Sequence, residues 1–247
     1  MNEQTYTKLR RMRLPELAAQ YRNQAEDPDT YASLSFDERL TLLVDAEFDA
    51  RINNKINRLM KDSGVPDRTA HIAGIEYLPQ RHLDPDLMRT LQTNDFIRKG
   101  QNVMLIGATG CGKTYIACAL ANNACRNEYR TRYYRLSEFF AQMEAARLQG
   151  IYNEVMEGFR KIPLIVFDDF LLLPATEAQQ QDLLILLRTR DEDRLSTVLC
   201  SQVAVAGWHA QLGSGGIADT LLDRLTSNGY EINIDGEISM RRRHSRI

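Results

Sequence analysis

Apolar residues in the first part of the chain recur at the spacing of amphipathic helices. The first run follows an i, i+3, i+4, i+7 pattern and comprises Leu14, Leu17, Ala18 and Tyr21. A second and longer run lies on one helical face and comprises Leu40, Leu43, Val44, Phe48, Ile52, Ile56 and Leu59. Ser35 and Glu38 form an S-x-x-E capping box in front of this run, and Gly64 and Pro66 end it. The pattern predicts an all-helical N-terminal domain over residues 1–66, and it fits both a domain that packs on itself and an arm that binds a partner.

From residue 102 onward, short apolar runs alternate with helical stretches, after a mixed loop and helix over residues 67–100. The candidate strands are 103–106, 131–134, 164–167, 197–201 and 230–234, and the helices between them include 114–127 and 177–190. Strand–helix alternation is typical of parallel strands joined by crossover helices on both faces. The sequence therefore predicts an α/β domain with a five-stranded parallel sheet over residues 67–247.

Composition narrows the class of protein. The 247 residues are 43% hydrophobic and 26% charged, as in ordinary globular domains. No apolar run approaches the ~20 residues of a membrane span, and the polar N-terminus has no signal-peptide core. The four cysteines form no CxxC pair, which argues against zinc and disulfides and favours the cytoplasm. Because the 31 Lys and Arg residues are balanced by 33 Asp and Glu residues, any nucleic-acid binding must come from a local basic patch.

The segment after the first predicted strand has the form G-x-x-x-x-G-K-T. It comprises Gly107, Ala108, Thr109, Gly110, Cys111, Gly112, Lys113 and Thr114. The glycines allow a tight turn whose N–H groups face phosphate, Lys113 can reach the β- and γ-phosphates, and Thr114 can ligate Mg²⁺. The alternative is a glycine-rich turn with an incidental lysine, which the strand before the segment and the helix after it disfavour. Cys111 suits a small filler residue better than a reactive thiol.

Two carboxylates, Asp168 and Asp169, follow the third predicted strand and so face the same crevice as the phosphate loop. We expect Asp168 to hold Mg²⁺ and Asp169 to orient or deprotonate the attacking water. The alternative is a pair of solvated loop carboxylates. Gln202 ends the next strand and either helps to position water or merely caps the strand.

Arginines near the end of the predicted helices are candidates for completing a neighbouring subunit's site, a role known to accelerate phosphoryl transfer. Arg224 lies in the segment 221–225, and Arg190 and Arg194 precede the fourth strand. For Arg224 the alternative is a surface arginine paired with Asp223. Trp208 suits packing better than base stacking, because nothing basic or aromatic surrounds it.

Together these motifs resemble the AAA+ ATPases and, more narrowly, the IstB family of transposition helper ATPases, with bacterial helicase loaders as close relatives. The resemblance covers nearly the whole chain, in the segments 9–15, 35–47, 107–114, 168–169, 201–202, 208–209, 217–219 and 222–225. Residues 236–241 resemble the family's GESMR motif with Ile238 inserted, and Ala108 stands where proline is usual. Asp169 stands where the helicase-loader branch more often carries glutamate.

The resemblance implies an Mg²⁺-dependent ATPase that assembles on double-stranded DNA and serves a partner transposase. It implies a homo-oligomer whose ATP sites are shared between subunits, with Arg224 acting in trans and Arg190 as the reserve. It also makes Ser201 and Arg241 candidate nucleotide contacts. The basic cluster 241–246 either touches DNA or is a solvated tail. The competing functions are a replicative helicase loader and a nucleotide-binding adaptor with little hydrolysis, since Asp169 is one methylene shorter than glutamate.

Overall fold

The computed structural model describes residues 1–213, 215–236, 239, 240 and 243, with the main chain alone for Ile217. The chain divides into two compact units, Met1–Arg58 and Leu59–Ile247. Each unit is described by itself below. No helix in the described ranges is long and apolar enough to cross a membrane.

The first unit is helical, as predicted, and begins with a helix that the apolar pattern did not reveal. Its helices are α1 (Glu3–Arg11), α2 (Pro15–Glu26) and α3 (Phe36–Asp62), the last of which continues into the second unit. The side chain of Asn2 caps α1 by accepting from the N–H groups of Gln4 and Thr5. The capping box at α3 is present, because Ser35 N–H donates to Glu38 at 2.8 Å and Glu38 N–H donates to Ser35 Oγ at 3.3 Å.

A buried carboxylate joins α2 to α3. Glu47 is 6% exposed, and its Oε2 accepts from the N–H groups of Glu16 and Leu17 at 3.0 and 3.3 Å, at the N-terminus of α2. Its Oε1 accepts from Arg51 Nε at 2.7 Å, and Arg51 also donates to the carbonyl of Arg13. Burial alone would raise the pKa of Glu47, but these hydrogen bonds outweigh burial and hold the pKa below its ordinary value.

The apolar stripe of α3 enters this packing only in part. Phe36, Leu40, Val44 and Phe48 retain exposures from 80% to 41%. Neighbouring turns of α3 instead present Glu47 and Arg51 to α2 and to the chain before it. The periodicity therefore identified a continuous apolar face, but much of that face is not core within the unit.

The second unit opens with an irregular segment and two short helices. Two 3-10 turns, Ile72–Gly74 and Pro79–Arg81, precede α4 (Pro85–Gln92) and α5 (Asp95–Arg98). The sheet follows, with strands β1 (Asn102–Ile106), β2 (Thr131–Arg135), β3 (Leu164–Asp168), β4 (Ser196–Ser201) and β5 (Gly229–Asn233). The connecting helices are α6 (Lys113–Arg126), α7 (Leu136–Leu148), α8 (Tyr152–Phe159), α9 (Glu177–Glu192), α10 (Val205–Gln211) and α11 (Gly216–Thr226).

The five strands are parallel in the order β2-β3-β4-β1-β5, which confirms the predicted fold class. Successive side chains of a strand point to opposite faces. Accordingly, Val103 and Leu105 join one apolar cluster with α6, whereas Met104 and Ile106 join a second cluster with α9 and Trp208. Because the chain leaves β1 for the distant strand β2, a crevice opens at the carboxyl ends of β1, β3 and β4.

Replacing Glu47 by glutamine should destabilise the helical unit by about 1–3 kcal/mol, because a neutral amide is a weaker acceptor for Arg51 and for two helix N–H groups. Because the pKa of Glu47 is lowered in the folded state, the Glu47 carboxylate stabilises the wild-type fold fully above the ordinary glutamate pKa of about 4.3. This stabilisation is lost as the pH falls through the folded-state pKa. Thermal unfolding followed by circular dichroism at 222 nm should therefore separate E47Q from wild type at neutral pH and bring the two together in acid. Asp45→Asn, an exposed change on the same helix, is the matched control.

Candidate functional site

The phosphate loop follows β1 and runs into α6. Gly110 and Gly112 have φ values of +86° and +98°, which L side chains rarely adopt. A Cβ at Gly112 would lie 2.7 Å from Nη2 of Arg81, so a side chain there would displace the guanidinium. The loop residues that the motif singled out thus form a tight turn at the carboxyl end of β1.

The carbonyl groups of this loop are held by donors around it. Lys113 is 7% exposed, and its ammonium donates to the carbonyls of Gly107 and Ala108 at 2.7 and 2.9 Å. The Gly110 carbonyl accepts from the N–H of Met240 at 2.8 Å. Within the described ranges, the N–H groups of Gly110 and Gly112 have no protein acceptor. Free N–H groups beside a lysine at a helix N-terminus form a binding site for phosphate.

The first acidic residue is fixed to this loop. Asp168 ends β3 at 7% exposure, and its Oδ2 accepts from Thr114 Oγ1 at 2.9 Å and from the Tyr133 hydroxyl at 2.7 Å. Its Oδ1 accepts from the N–H of Asp169 at 3.0 Å. Burial and the Asp168 carboxylate raise the pKa of the Tyr133 phenol far above its ordinary value, so Tyr133 remains a donor. The donor set of hydroxyl and carboxylate oxygens at this place is the chemistry that Mg²⁺ prefers.

Asp169 and Gln202 lie at the same edge of the sheet. Asp169 is exposed and adopts a φ of +53° at the start of a turn, so its carboxylate is not tied into the sheet. The side chain of Gln202 accepts from Thr109 Oγ1 at 2.6 Å, which brings the end of β4 to the phosphate loop. Hydrogen bonds therefore join Asp168 and Gln202 to the loop, and Asp169 directly follows Asp168 in the chain.

Cys111 fills space beneath the loop. It is 2% exposed, and its Sγ lies 3.8 Å from Lys113 Nζ. A Cβ on Gly107 would lie 2.8 Å from the same sulfur. These contacts support the filler interpretation of this residue.

The prediction that Ser201 contacts the nucleotide is wrong. Ser201 is fully buried, and its hydroxyl donates to the carbonyl of Phe170 at 2.8 Å while accepting from Trp208 Nε1 and Val203 N–H, each at 3.1 Å. Trp208 is also fully buried and packs edge-on against Phe170, with 4.9 Å between ring centroids. Ser201 thus anchors the tryptophan, because the hydroxyl points into the core rather than into the crevice.

The prediction of Arg190 as a reserve trans arginine is also wrong. Arg190 is 2% exposed, and its guanidinium donates to Thr197 Oγ1 and to four carbonyls at the amino ends of β3 and β4. Those carbonyls belong to Phe159, Ile162, Pro163 and Ser196. Burial lowers the pKa of Arg190 to about 9. An arginine so enclosed has no donor left for a neighbouring subunit.

Arg224 lies at the opposite end of the sheet from the phosphate loop. Its carbonyl accepts from Asn102 at the amino end of β1, at 3.4 Å, whereas the loop leaves the carboxyl end of that strand. At ~3.3 Å per residue, the length of β1 separates the carbonyl of Arg224 from the start of the phosphate loop by roughly 13 Å. Its guanidinium donates to Asp191 at 2.6 Å, so the expected partner Asp223 is not the one observed. The remaining sequence candidate, Arg241, lies outside the described residues.

Two residues at the site were missed by sequence reasoning, Tyr133 and Arg81. Tyr133 belongs to a strand whose alternation could have been noted, since Thr131 and Tyr133 share the face toward α6. Arg81 donates to the carbonyl of Cys111 at 2.8 Å from a segment of mixed polarity in which no periodic signal was available.

A five-stranded parallel sheet with the phosphate loop after β1 and a buried aspartate at the end of β3 defines the AAA+ class of P-loop proteins. The profile of the IstB-like ATP binding protein family matches residues 7–247, and the chain belongs to that family.

Relatives in insertion sequences match along most of their length. The chain is 33% identical over 247 residues to the insertion sequence ATP-binding protein y4pL of Sinorhizobium fredii, covering 98% of this chain and 97% of that protein. It is 34% identical over 203 residues to the IS1162 ATP-binding protein of Pseudomonas fluorescens, covering 82% of this chain and 87% of that protein.

Solved structures share the fold. The DnaI structure matches with a TM-score of 0.57 at 20% identity over 70% of this chain and 92% of that chain. The DnaC helicase loader matches with a TM-score of 0.55 at 15% identity over 67% of this chain and 97% of that chain. At these identities the likeness concerns the fold alone.

Replacing Ser201 by alanine should lower the free energy of unfolding by about 1–2 kcal/mol, because Val203 N–H loses its acceptor and Trp208 loses one of two. Urea unfolding followed by the fluorescence of Trp208, the single tryptophan, measures this change. The affinity for ATP should not change. If the Ser201→Ala variant bound ATP more weakly while keeping wild-type stability, Ser201 would belong to the nucleotide site after all. The control is Ser227→Ala, an exposed change directly after α11.

Proposed function

We propose that the chain is an Mg²⁺-dependent ATPase that assists DNA transposition, assembling on double-stranded DNA in the cytoplasm and recruiting or stimulating a partner transposase. The observation that carries the ATPase part is the hydrogen bond from Thr114 to Asp168, which joins the phosphate loop to the acidic strand end. The part in transposition is supported by the names of the relatives, which are insertion sequence ATP-binding proteins matched along most of their length.

The buried end of β3 and the start of α6 fit a magnesium ion. Thr114 and Asp168 would hold it through their hydroxyl and carboxylate oxygens. When bound, Mg²⁺ neutralises phosphate charge and so favours phosphoryl transfer. Lys113 binds phosphate with its ammonium, and the loop N–H groups bind the remaining oxygens.

Asp169 is the residue that we assign to the attacking water. Its carboxylate is exposed at the mouth of the crevice, whereas that of Asp168 is enclosed by three donors. A solvent-facing carboxylate next to the loop can accept a proton from water, and Gln202 can help to orient that water because its side chain already contacts Thr109.

The two acidic residues should fail in different ways when each is made neutral. Asp169→Asn should leave ATP binding intact and stall hydrolysis, because binding uses other groups, whereas Asp168→Asn should lose Mg²⁺-dependent affinity. Equilibrium ATP binding with and without Mg²⁺, together with the steady-state rate, separates these outcomes, and each isosteric variant is the control for the other. Hydrolysis at the wild-type rate by D169N would remove the proposed role of Asp169.

A shared site is supported by the place of Arg224. Because a strand length separates it from its own phosphate loop, it can meet a nucleotide only on another subunit. Its side chain is 26% exposed and its partner Asp191 is 48% exposed, so the ion pair is open to exchange. A γ-phosphate from a neighbour would offer the guanidinium a charge-assisted contact that hydrolysis removes.

Mixing two inactive variants tests the shared site. Arg224→Ala subunits combined with Asp169→Asn subunits should regain part of the ATPase rate, because some composite sites take Lys113 and Asp169 from one chain and Arg224 from another. The rate is measured across mixing ratios on long duplex DNA. No recovery at any ratio would count against Arg224, and a protein that stays monomeric on DNA with a non-hydrolysable ATP analogue would count against assembly.

Partner binding is assigned to the helical N-terminal region. We place the domain boundary at residue 66, after the helix-ending Gly64, although the compact first unit ends at Arg58. The exposed apolar residues Phe36, Val44 and Phe48 suit a protein surface better than DNA. With a net charge of −2, DNA affinity must come from a few basic residues repeated along the assembly, so binding should weaken steeply with salt.

The second candidate is a helicase loader, since bacterial helicase loaders such as DnaC share this fold. The third is a nucleotide-binding adaptor with little hydrolysis. The ATPase rate with and without duplex DNA, alongside the size of the complex, separates the adaptor from the ATPases. Stimulation by a transposase from the same element, but not by a replicative helicase, would select transposition.

A further inference from the structure

Arg81 contacts the phosphate loop as a buried cation. It ends the 3-10 turn Pro79–Arg81 and is 4% exposed. Its Nη2 donates to the carbonyl of Cys111 at 2.8 Å, and its Nη1 donates to the carbonyl of Glu76. Its Nε is buried without a hydrogen-bond partner among the described residues. The guanidinium is thus held by neutral carbonyls and not by a carboxylate within that part of the chain.

The contact to Cys111 fixes the direction of one loop N–H. The Cys111 carbonyl and the Gly112 N–H belong to a single trans peptide, so they point in opposite directions. Arg81 holds the carbonyl, and the Gly112 N–H therefore points away from Arg81, at the N-terminus of α6. That N–H has no protein acceptor within the described ranges.

The charge of Arg81 strengthens the same peptide as a donor. A charged donor on a carbonyl polarises the peptide and makes its N–H more positive. Burial lowers the pKa of Arg81, but an arginine remains protonated at physiological pH. The glycine at position 112 leaves room for this arrangement, since a Cβ there would lie 2.7 Å from Nη2.

We infer that Arg81 is a positioning residue of the nucleotide site, which holds the Cys111–Gly112 peptide with its N–H toward the phosphates that ATP and ADP share. The inference rests on the proposed ATP site. Within the described residues the Arg81 guanidinium bonds to the carbonyls of Cys111 and Glu76, so Arg81 acts through the loop peptide rather than on a reacting atom. Its effect is therefore on affinity for both nucleotides rather than on the γ-phosphate.

Two variants of the full chain test the inference through the dissociation constants for ATP and ADP, measured by titration calorimetry. Arg81→Met should raise both constants by about tenfold and by the same factor, as expected for losing one hydrogen bond from a charged group. Arg81→Lys should raise both constants by a smaller factor, because an ammonium can still donate to one carbonyl. Lys113→Ala provides the contrast, since removing a group that reaches the γ-phosphate should weaken the binding of ATP more than the binding of ADP.

The matched control is Arg89→Met, which removes an exposed arginine of α4 that pairs with Asp86. It should leave both dissociation constants within twofold of wild type. Provided that the wild-type protein binds ATP, dissociation constants within twofold of wild type for both R81M and R81K would overturn the inference. A larger loss of affinity for ATP than for ADP would also overturn it. If R81M does not fold, R81K decides. Failure of both to fold would overturn it by making Arg81 a determinant of the fold. A wild-type protein that binds neither nucleotide would instead refute the proposed function.

Discussion

Three donors meet on the buried carboxylate of Asp168, and the arrangement of the site depends on them. Taking a carboxylate out of water costs several kcal/mol unless hydrogen bonds replace the lost hydration. Thr114 supplies one from the start of α6, Tyr133 one from β2, and the N–H of Asp169 the third. Because these donors come from separate elements, the buried charge also fixes the distance between the phosphate loop and the end of β3. Asp169, one residue later, needs no such support because it lies in solvent.

The two ends of the sheet carry opposite buried charges. At the carboxyl end Asp168 accepts from three donors, and at the amino end Arg190 donates to the carbonyls of Ile162 and Ser196, next to the starts of β3 and β4. A buried arginine is stable there because its planar fork of donors matches several carbonyls at once. Arg224 lies at this amino end too, but its guanidinium is paired at the surface with Asp191. Two arginines that look alike in sequence thus differ in their surroundings, because one is enclosed by carbonyls and the other is paired with a carboxylate at the surface.

The sheet and the phosphate loop were predictable because their signals are local. Apolar runs bounded by polar residues placed each strand to within about one residue, and glycine spacing placed the turn that follows β1. Arg190, Ser201 and Arg81 were misjudged or missed because each has a partner about 30 residues away, namely Phe159, Phe170 and Cys111 in that order. Periodicity treats arginine as a surface residue and cannot show which carbonyls would enclose it. The stripe of α3 shows the converse, since periodicity identified an apolar face without indicating whether anything covers it.

The loop is prepared for phosphate by the groups that hold its carbonyls. Those donors are the side chains of Lys113 and Arg81 and the N–H groups of Met240 and Ile116. Since each trans peptide places its N–H opposite its carbonyl, a donor that holds a carbonyl also fixes the direction of the next N–H before any ligand binds, as Arg81 does for Gly112. A ligand that meets a prepared site loses less of its affinity to ordering that site. Of the two cations, Lys113 bonds to the neutral carbonyls of Gly107 and Ala108 and can exchange them for phosphate, a stronger acceptor. Arg81 bonds to the carbonyl of Cys111, so under the proposed function one cation would bind the phosphate and the other would hold the loop peptide.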